Sequence, residues 1–179
     1  MEANGQEKTT GNYLLKTLLG KGQSGSVYAA TDLKGVKNFA IKVFHSNEPS
    51  ARTAVEMEFR LLERLRHPHV LPVLDFGLTH DHHPYWVMPL VESIPLAEFR
   101  RRLTVAMTSE YLKQTLSALE YLHGEGVIHG DLKPGNILIE SADSDAGFLV
   151  RLADFGMAMV SSSGRGQSIG GSLPYMAPE

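Results

Sequence analysis

The stretch "VIHGDLKPGNIL", residues 127–138, decides how this chain is read. It crowds Asp131, Lys133 and Asn136 into one short loop after an amphipathic segment. An aspartate can accept a proton from a hydroxyl nucleophile. A lysine beside it can neutralise phosphate charge. An asparagine carbonyl, joined by a second carboxylate, can hold Mg²⁺, which prefers oxygen ligands. That second carboxylate stands at Asp154 in "LADFGMA", after an apolar run and before Phe155-Gly156. Loop polarity accounts for any one of these residues, but not for all of them in this order.

Working outward, Ser109–His123 has helical periodicity, with Leu112, Leu116, Leu119 and Leu122 in register. Thr108 or Ser109 can cap its start and Gly124 its end. Two short apolar runs follow, Ile137–Ile139 and Phe148–Ala153, the second read as a strand before Asp154. The first half of the chain reads differently. Strands are expected at Tyr13–Leu19, Val27–Thr31, Asn38–Phe44, Val70–Phe76 and Tyr85–Leu90, with a turn at Lys34-Gly35. One helix is expected over Ala51–Arg66, with Val55, Glu58, Phe59, Leu62 and Leu65 on one stripe and His67-Pro68 ending it. The change of character falls near Val91–Pro95, where the boundary between two lobes is expected.

Two residues of the first half break the apolar pattern. Strand alternation puts Ala40, Lys42 and Phe44 on one face and Phe39, Ile41 and Val43 on the other. A core-facing ammonium needs a partner or a route to solvent. Glu58, on the apolar stripe of the following helix, is the candidate partner. Upstream, "LGKGQSGSV" spaces Gly20, Gly22 and Gly25 ahead of Val27. Such spacing lets backbone approach phosphate oxygens, because no Cβ intervenes. By itself it reads equally well as a flexible hairpin. It is not a dinucleotide fingerprint, because a strand follows it.

The 179 residues are 42% hydrophobic and 21% charged, with a net charge of -3 and no cysteine. The charge offers no basic field for nucleic acid. Without cysteine there is no disulfide, thiolate metal site or thiol nucleophile. The N-terminus lacks a signal-peptide layout, and no apolar run approaches the ~20 residues that span a membrane. A cytoplasmic location is expected; oligomeric state is left open. "HDHH" (residues 80–83) reads as a solvated turn rather than a metal cluster, and Arg100–Arg102 as the exposed side of a helix.

Taken in order, "GKGQSGSV", "FAIK", Glu58, "HGDLKPGN", "DFG" and "GSLPYMAPE" resemble the eukaryotic-type (Hanks-type) serine/threonine protein kinase catalytic domain. The resemblance implies an α+β bilobal fold. Its N-lobe (13–91, after a polar extension 1–12) is an antiparallel sheet with one helix. Its C-lobe (92–179) is mainly helical and partial. ATP and Mg²⁺ are implied as cofactors, and a protein bearing a Ser or Thr hydroxyl as substrate. Gly20, Gly22 and Gly25 look like the loop over the phosphates. Lys42 looks like the lysine that holds the α- and β-phosphates and pairs with Glu58. Leu19, Val27, Ala40 and Leu138 are similar to residues around the adenine. Met88 stands at the gatekeeper position. Pro89 to Val91 form the hinge, where the Pro89 carbonyl and the Val91 backbone would meet the adenine edge. Asp131 looks like the catalytic base, with Lys133 beside it; Asn136 and Asp154 look like the Mg²⁺ ligands. Leu62, Val73, His129 and Phe155 resemble the apolar stack of an active kinase. "DLKPGN" is similar to the serine/threonine-directed form of the loop, and Ser172 stands where a threonine commonly contacts Asp131 and Lys133.

The sequence departs from the family at Gly130, where an arginine commonly receives a phosphate from the activation loop. Phosphorylation of Ser161, Ser162, Ser163, Ser168 or Ser172 is therefore not expected to be the main switch. His-Gly-Asp also occurs in small-molecule kinases of the aminoglycoside and choline type, the second reading. Lys133, the complete "DFG" and the "APE" ending oppose it. A non-catalytic nucleotide-binding scaffold is the third; Lys42, Asp131 and Asp154 oppose that. The ending "GGSLPYMAPE" resembles the close of the activation segment. The expectation is that further C-lobe helices, with an arginine for Glu179, belong beyond it, and that this chain alone has uncertain activity.

Overall fold

The computed structural model describes residues 9–143, 147–155, 159–160 and 175. The chain forms two compact units, Met1–Arg64 with Pro72–Leu90, and Leu65–Leu71 with Val91–Glu179. The segment Leu65–Leu71, read from sequence with the first half, thus belongs to the second unit.

In the first unit, β1 (Thr9–Thr10), β2 (Tyr13–Lys21), β3 (Gly25–Asp32) and β4 (Asn38–Phe44) are followed by α1 (Pro49–Leu62), β5 (Asp75–Leu78) and β6 (Pro84–Pro89). The six strands make one antiparallel sheet in the order β1-β2-β3-β4-β6-β5. β4 lies inside it, so both its edges are paired, with β3 and with β6. Ile41 packs with Leu15, Ala30, Tyr85 and Val87, flanked by Tyr13, Tyr28, Phe39 and Val43. Ala40, Lys42 and Phe44 take the other face, as alternation requires, with Met88 and Trp86 beside Ala40 and Lys42 on β6.

α1 begins on Pro49, whose missing N–H costs nothing at the first helical position. It buries Val55, Phe59 and Leu62, but ends at Leu62 rather than at Arg66. The expected strand Val70–Phe76 is likewise confined to Asp75–Leu78. One cause serves both differences. The backbone of residues 65–71 belongs to the second unit, where Leu71 N–H donates to the Leu152 carbonyl and Leu152 N–H to that of His69. Local periodicity cannot register a partner so far along the chain.

The second unit contains α2 (Leu96–Arg102), α3 (Val105–Gly124), β7 (Val127–Ile128), a 3₁₀ turn at Pro134–Asn136, β8 (Ile137–Ser141), β9 (Phe148–Leu152) and β10 (Met159–Val160). β8 pairs with β9 and β7 with β10, both antiparallel. Phe99, Ile139, Phe148 and Val150 form its apolar cluster. α3 is longer than expected. Its cap is Thr104, whose hydroxyl accepts the Met107 N–H at 3.2 Å, not Thr108 or Ser109. The expected leucine stripe is also corrected: Leu112 and Leu116 are 52% and 62% exposed. The packed face is Gln114, Thr115, Ala118 and Leu122. Two polar residues are tolerated there because each is satisfied. Gln114 Oε1 accepts the buried Val150 N–H of β9 at 2.8 Å, and Thr115 donates back to the Tyr111 carbonyl. Among the described residues no helix is long and apolar enough to cross a membrane.

Candidate active site

The first unit gathers its candidate residues on one face of the sheet. Cross-strand register pairs Gly20 with Val27, Val27 with Lys42, and Ala40 with Met88, and paired residues point to the same side. Lys42 is 4% exposed, and its ammonium lies 5.1 Å from the centre of the Phe44 ring. The aromatic face gives the cation a favourable electrostatic neighbour. Glu58 is half-buried on the α1 face that carries Val55, Phe59 and Leu62. Leu19 is exposed, and Pro89 closes β6, where its absent N–H removes no ladder bond beyond the strand end. Gly25 is required sterically: a Cβ there would stand 2.6 Å from the Val43 carbonyl oxygen.

In the second unit the loop after β7 is tied to itself and to the segment after β9. Lys133 Nζ donates to Asp131 Oδ2 at 2.6 Å, a charge-assisted bond. Asn136 Nδ2 donates to the same carboxylate oxygen at 3.1 Å and to the Asp131 carbonyl at 2.8 Å. Both amide hydrogens of this buried asparagine therefore serve to hold Asp131, and its remaining coordinating atom is the oxygen Oδ1. With the Asp154 carboxylate this is an all-oxygen donor set, which suits Mg²⁺. The spacing of Lys133 and Asn136 is set by the 3₁₀ turn that Pro134 starts, closed by Asn136 N–H on the Lys133 carbonyl.

Asp154 has a left-handed backbone, φ +63°, a strained conformation that aspartate tolerates better than most residues. The peptide before it is clamped on both sides. Ala153 N–H donates to the Asn136 carbonyl at 2.9 Å, and the Ala153 carbonyl accepts from His129 Nε2 at 3.1 Å. His129 is 2% exposed and lies 5.0 Å from the Phe155 ring. Its Nδ1 accepts the Asp131 N–H at 3.4 Å, so the proton must sit on Nε2 and the ring is neutral. Burial pushes the His129 pKa below the usual value, outweighing the carboxylates nearby, and favours that neutral form. Gly130 has φ +76°, which is why glycine suits the position before Asp131.

Val91 and Ile139, the neighbour of Leu138, are tied together by a residue that composition and spacing did not single out. Ser93 Oγ accepts the Ile139 N–H at 2.9 Å, and Ile94 N–H donates to the Ile139 carbonyl at 2.6 Å. The Val91 carbonyl already accepts the Ser93 N–H at 3.1 Å. A serine three residues before a helix is an ordinary loop residue in sequence. Leu62, Val73 and Phe155 are buried. Gly156, the five activation-loop serines and most of "GSLPYMAPE" lie outside the described residues.

The protein kinase domain family matches this chain over residues 13–179. Serine/threonine-protein kinase PknE of Mycobacterium tuberculosis is 38% identical over 178 residues, 94% of this chain and 30% of that protein. The DNA damage-responsive serine/threonine-protein kinase RqkA of Deinococcus radiodurans is 37% identical, across 94% of this chain and 26% of its own length. The chain thus spans under a third of these relatives. The solved kinase domain of PknI from Mycobacterium tuberculosis aligns with a TM-score of 0.68 and 28% identity, over 88% of this chain and 64% of that one. The fold is the bilobal kinase fold, an antiparallel sheet with one helix followed by a partial helical lobe. By sequence and by fold, the chain belongs to the protein kinase domain family.

Proposed function

We propose that this chain is the ATP-dependent catalytic region of a serine/threonine protein kinase. The observation that carries the reading is the convergence of Lys133 and Asn136 on the Asp131 carboxylate. In the reaction the bond between the γ-phosphorus and the β–γ bridging oxygen of ATP breaks. A new bond forms to a serine or threonine oxygen, whose proton passes to Asp131. Lys133 steadies the carboxylate and offsets charge on the transferring group. Mg²⁺, when bound, neutralises the phosphates; Asn136 Oδ1 and Asp154 are the residues that would hold it. Lys42, paired with Glu58, is assigned to the α- and β-phosphates, and the backbone around Gly20, Gly22 and Gly25 to the phosphate loop. Leu19, Val27, Ala40 and Leu138 are assigned to the adenine, with Met88, Pro89 and Val91 along its edge. Most of the rate then comes from positioning and charge neutralisation.

The serine/threonine preference rests on Lys133-Pro134 and on relatives named as serine/threonine-protein kinases. The partner is a hydroxyl-bearing protein. Dependence on ATP and the lack of cysteine favour a cytoplasmic setting for the domain. The test is Asp131→Asn, with transfer of label from ATP to a generic protein as readout. Phosphotransfer should fall at least about a hundredfold, with MgATP binding retained; turnover at the wild-type level would remove Asp131 from the role of base.

A further inference from the structure

The turn between β2 and β3 is fastened to the end of β4 by one residue. Gly22 N–H donates to the Gly25 carbonyl at 2.9 Å, closing the turn. Gly25 lies directly against the Val43 carbonyl and Phe44. The next residue of that strand's course, His45, meets the turn three times. Its N–H donates to the Ser24 carbonyl at 3.0 Å. Its Nδ1 lies 3.3 Å from the Gln23 carbonyl. Its Nε2 lies 3.0 Å from Ser26 Oγ. A carbonyl only accepts, so Nδ1 carries the hydrogen and, in the neutral ring, Nε2 accepts from the Ser26 hydroxyl.

His45 is itself well placed to act as an anchor. The Phe44 carbonyl accepts from His83 Nδ1 at 3.0 Å, and Asn47 Nδ2 donates to the Asp81 carbonyl at 3.2 Å. Two members of the "HDHH" turn thus hold Phe44, the last residue of β4, and Asn47 beyond it, and His45 between them holds the glycine turn. The consequence is polar. The His45 imidazole fixes the Gln23–Ser24 peptide, and the His45 backbone N–H, which any residue there would keep, fixes the Ser24–Gly25 peptide. In a trans peptide the N–H points opposite to the carbonyl, so the Ser24 and Gly25 N–H groups are turned away from His45. Phosphate oxygens need N–H donors and are repelled by carbonyls.

We propose that His45 is a positioning residue for phosphate binding: with Ser26, its imidazole keeps the Gln23 carbonyl averted so that the N–H of the same peptide, that of Ser24, serves the nucleotide phosphates. This rests on the kinase reading above. The test compares MgATP with adenosine, which lacks phosphates, by calorimetry on the intact chain. His45→Ala should weaken MgATP about tenfold and Ser26→Ala about threefold, with adenosine affinity within about twofold of wild type. His45→Asn, which restores a donor for the Gln23 carbonyl, should recover part of the loss. Amide exchange at Gly22 should quicken in His45→Ala. Equal losses for MgATP and adenosine would mean general damage to the sheet and would overturn the proposal. So would unchanged MgATP affinity or unchanged exchange. Wild-type protein that binds neither ligand would instead overturn the kinase reading itself, and this inference with it.

Discussion

Two glycines of the catalytic loop should respond oppositely to the same substitution. Gly130 has φ +76°, and an L-residue in that left-handed region costs about 1–2 kcal/mol. Replacing glycine by alanine also removes freedom from the unfolded chain, a gain of about 0.4–1 kcal/mol. The net expectation for Gly130→Ala is a loss of about 0.8 kcal/mol at the midpoints, within roughly 0–1.6 by difference. Gly135 lies in the 3₁₀ turn Pro134–Asn136, and a Cβ built there meets no atom within 4 Å. Gly135→Ala should therefore keep the unfolded-state gain of about 0.4–1 kcal/mol without the strain. For a chain of this size each kcal/mol moves the melting temperature by about 2–4 °C. Thermal melts of the two variants beside wild type should thus diverge, Gly130→Ala downward and Gly135→Ala upward. Gly130→Asn should fall between Gly130→Ala and wild type, because asparagine enters the left-handed region more readily. A Gly130→Ala protein melting at or above wild type would refute the reasoning. It would mean that the left-handed backbone at Gly130 imposes no strain on a residue with a Cβ.

Gln114→Leu should destabilise the chain by about 1–3 kcal/mol in urea unfolding, because it leaves the buried Val150 N–H without its acceptor; a neutral result would show that the bond contributes nothing. Stability should also fall on acidification. Burial holds His129 and His67 below the ordinary histidine pKa, with His69 adding to the effect at His67, so the unfolded chain binds more protons than the folded one. Their contribution is fully present above about pH 6.5 and is lost as pH falls from there through the folded values. Melts from pH 7.5 to 5.5 should decline, and His67→Gln should flatten part of the decline; a level profile would contradict both assignments. Alanine at Ser161, Ser162, Ser163 and Ser168 together should leave phosphotransfer within about threefold of wild type, because Gly130 offers no guanidinium to receive a loop phosphate. Collapse of turnover would show that a loop phosphate has another receiver.

The residues that would perform the chemistry were legible because their types are chemically unusual where they stand. Lys42 interrupts an apolar strand, and Asp131, Lys133 and Asn136 share a loop too short for chance polarity. Alternation along β4 was equally legible, since period two follows from backbone geometry alone. The supports were not. His45, Ser93 and Gln114 are ordinary residues in ordinary contexts, and each matters through an atom of another strand, turn or helix. Which face of α3 is buried was likewise undetermined by periodicity. A leucine stripe says that a face is apolar, whereas the packed face is Gln114, Thr115, Ala118 and Leu122, where Gln114 accepts the Val150 N–H of β9.

The sequence by itself thus determined the family, the strand faces and the candidate residues for the chemistry, all of which depend on residue type and near spacing. Only the tertiary structure decided where α1 ends, which unit takes residues 65–71, how His129 is protonated, and what holds the glycine turn. Each of those depends on a hydrogen bond or contact between residues distant in the chain, and local sequence carries no record of which distant group will be in reach.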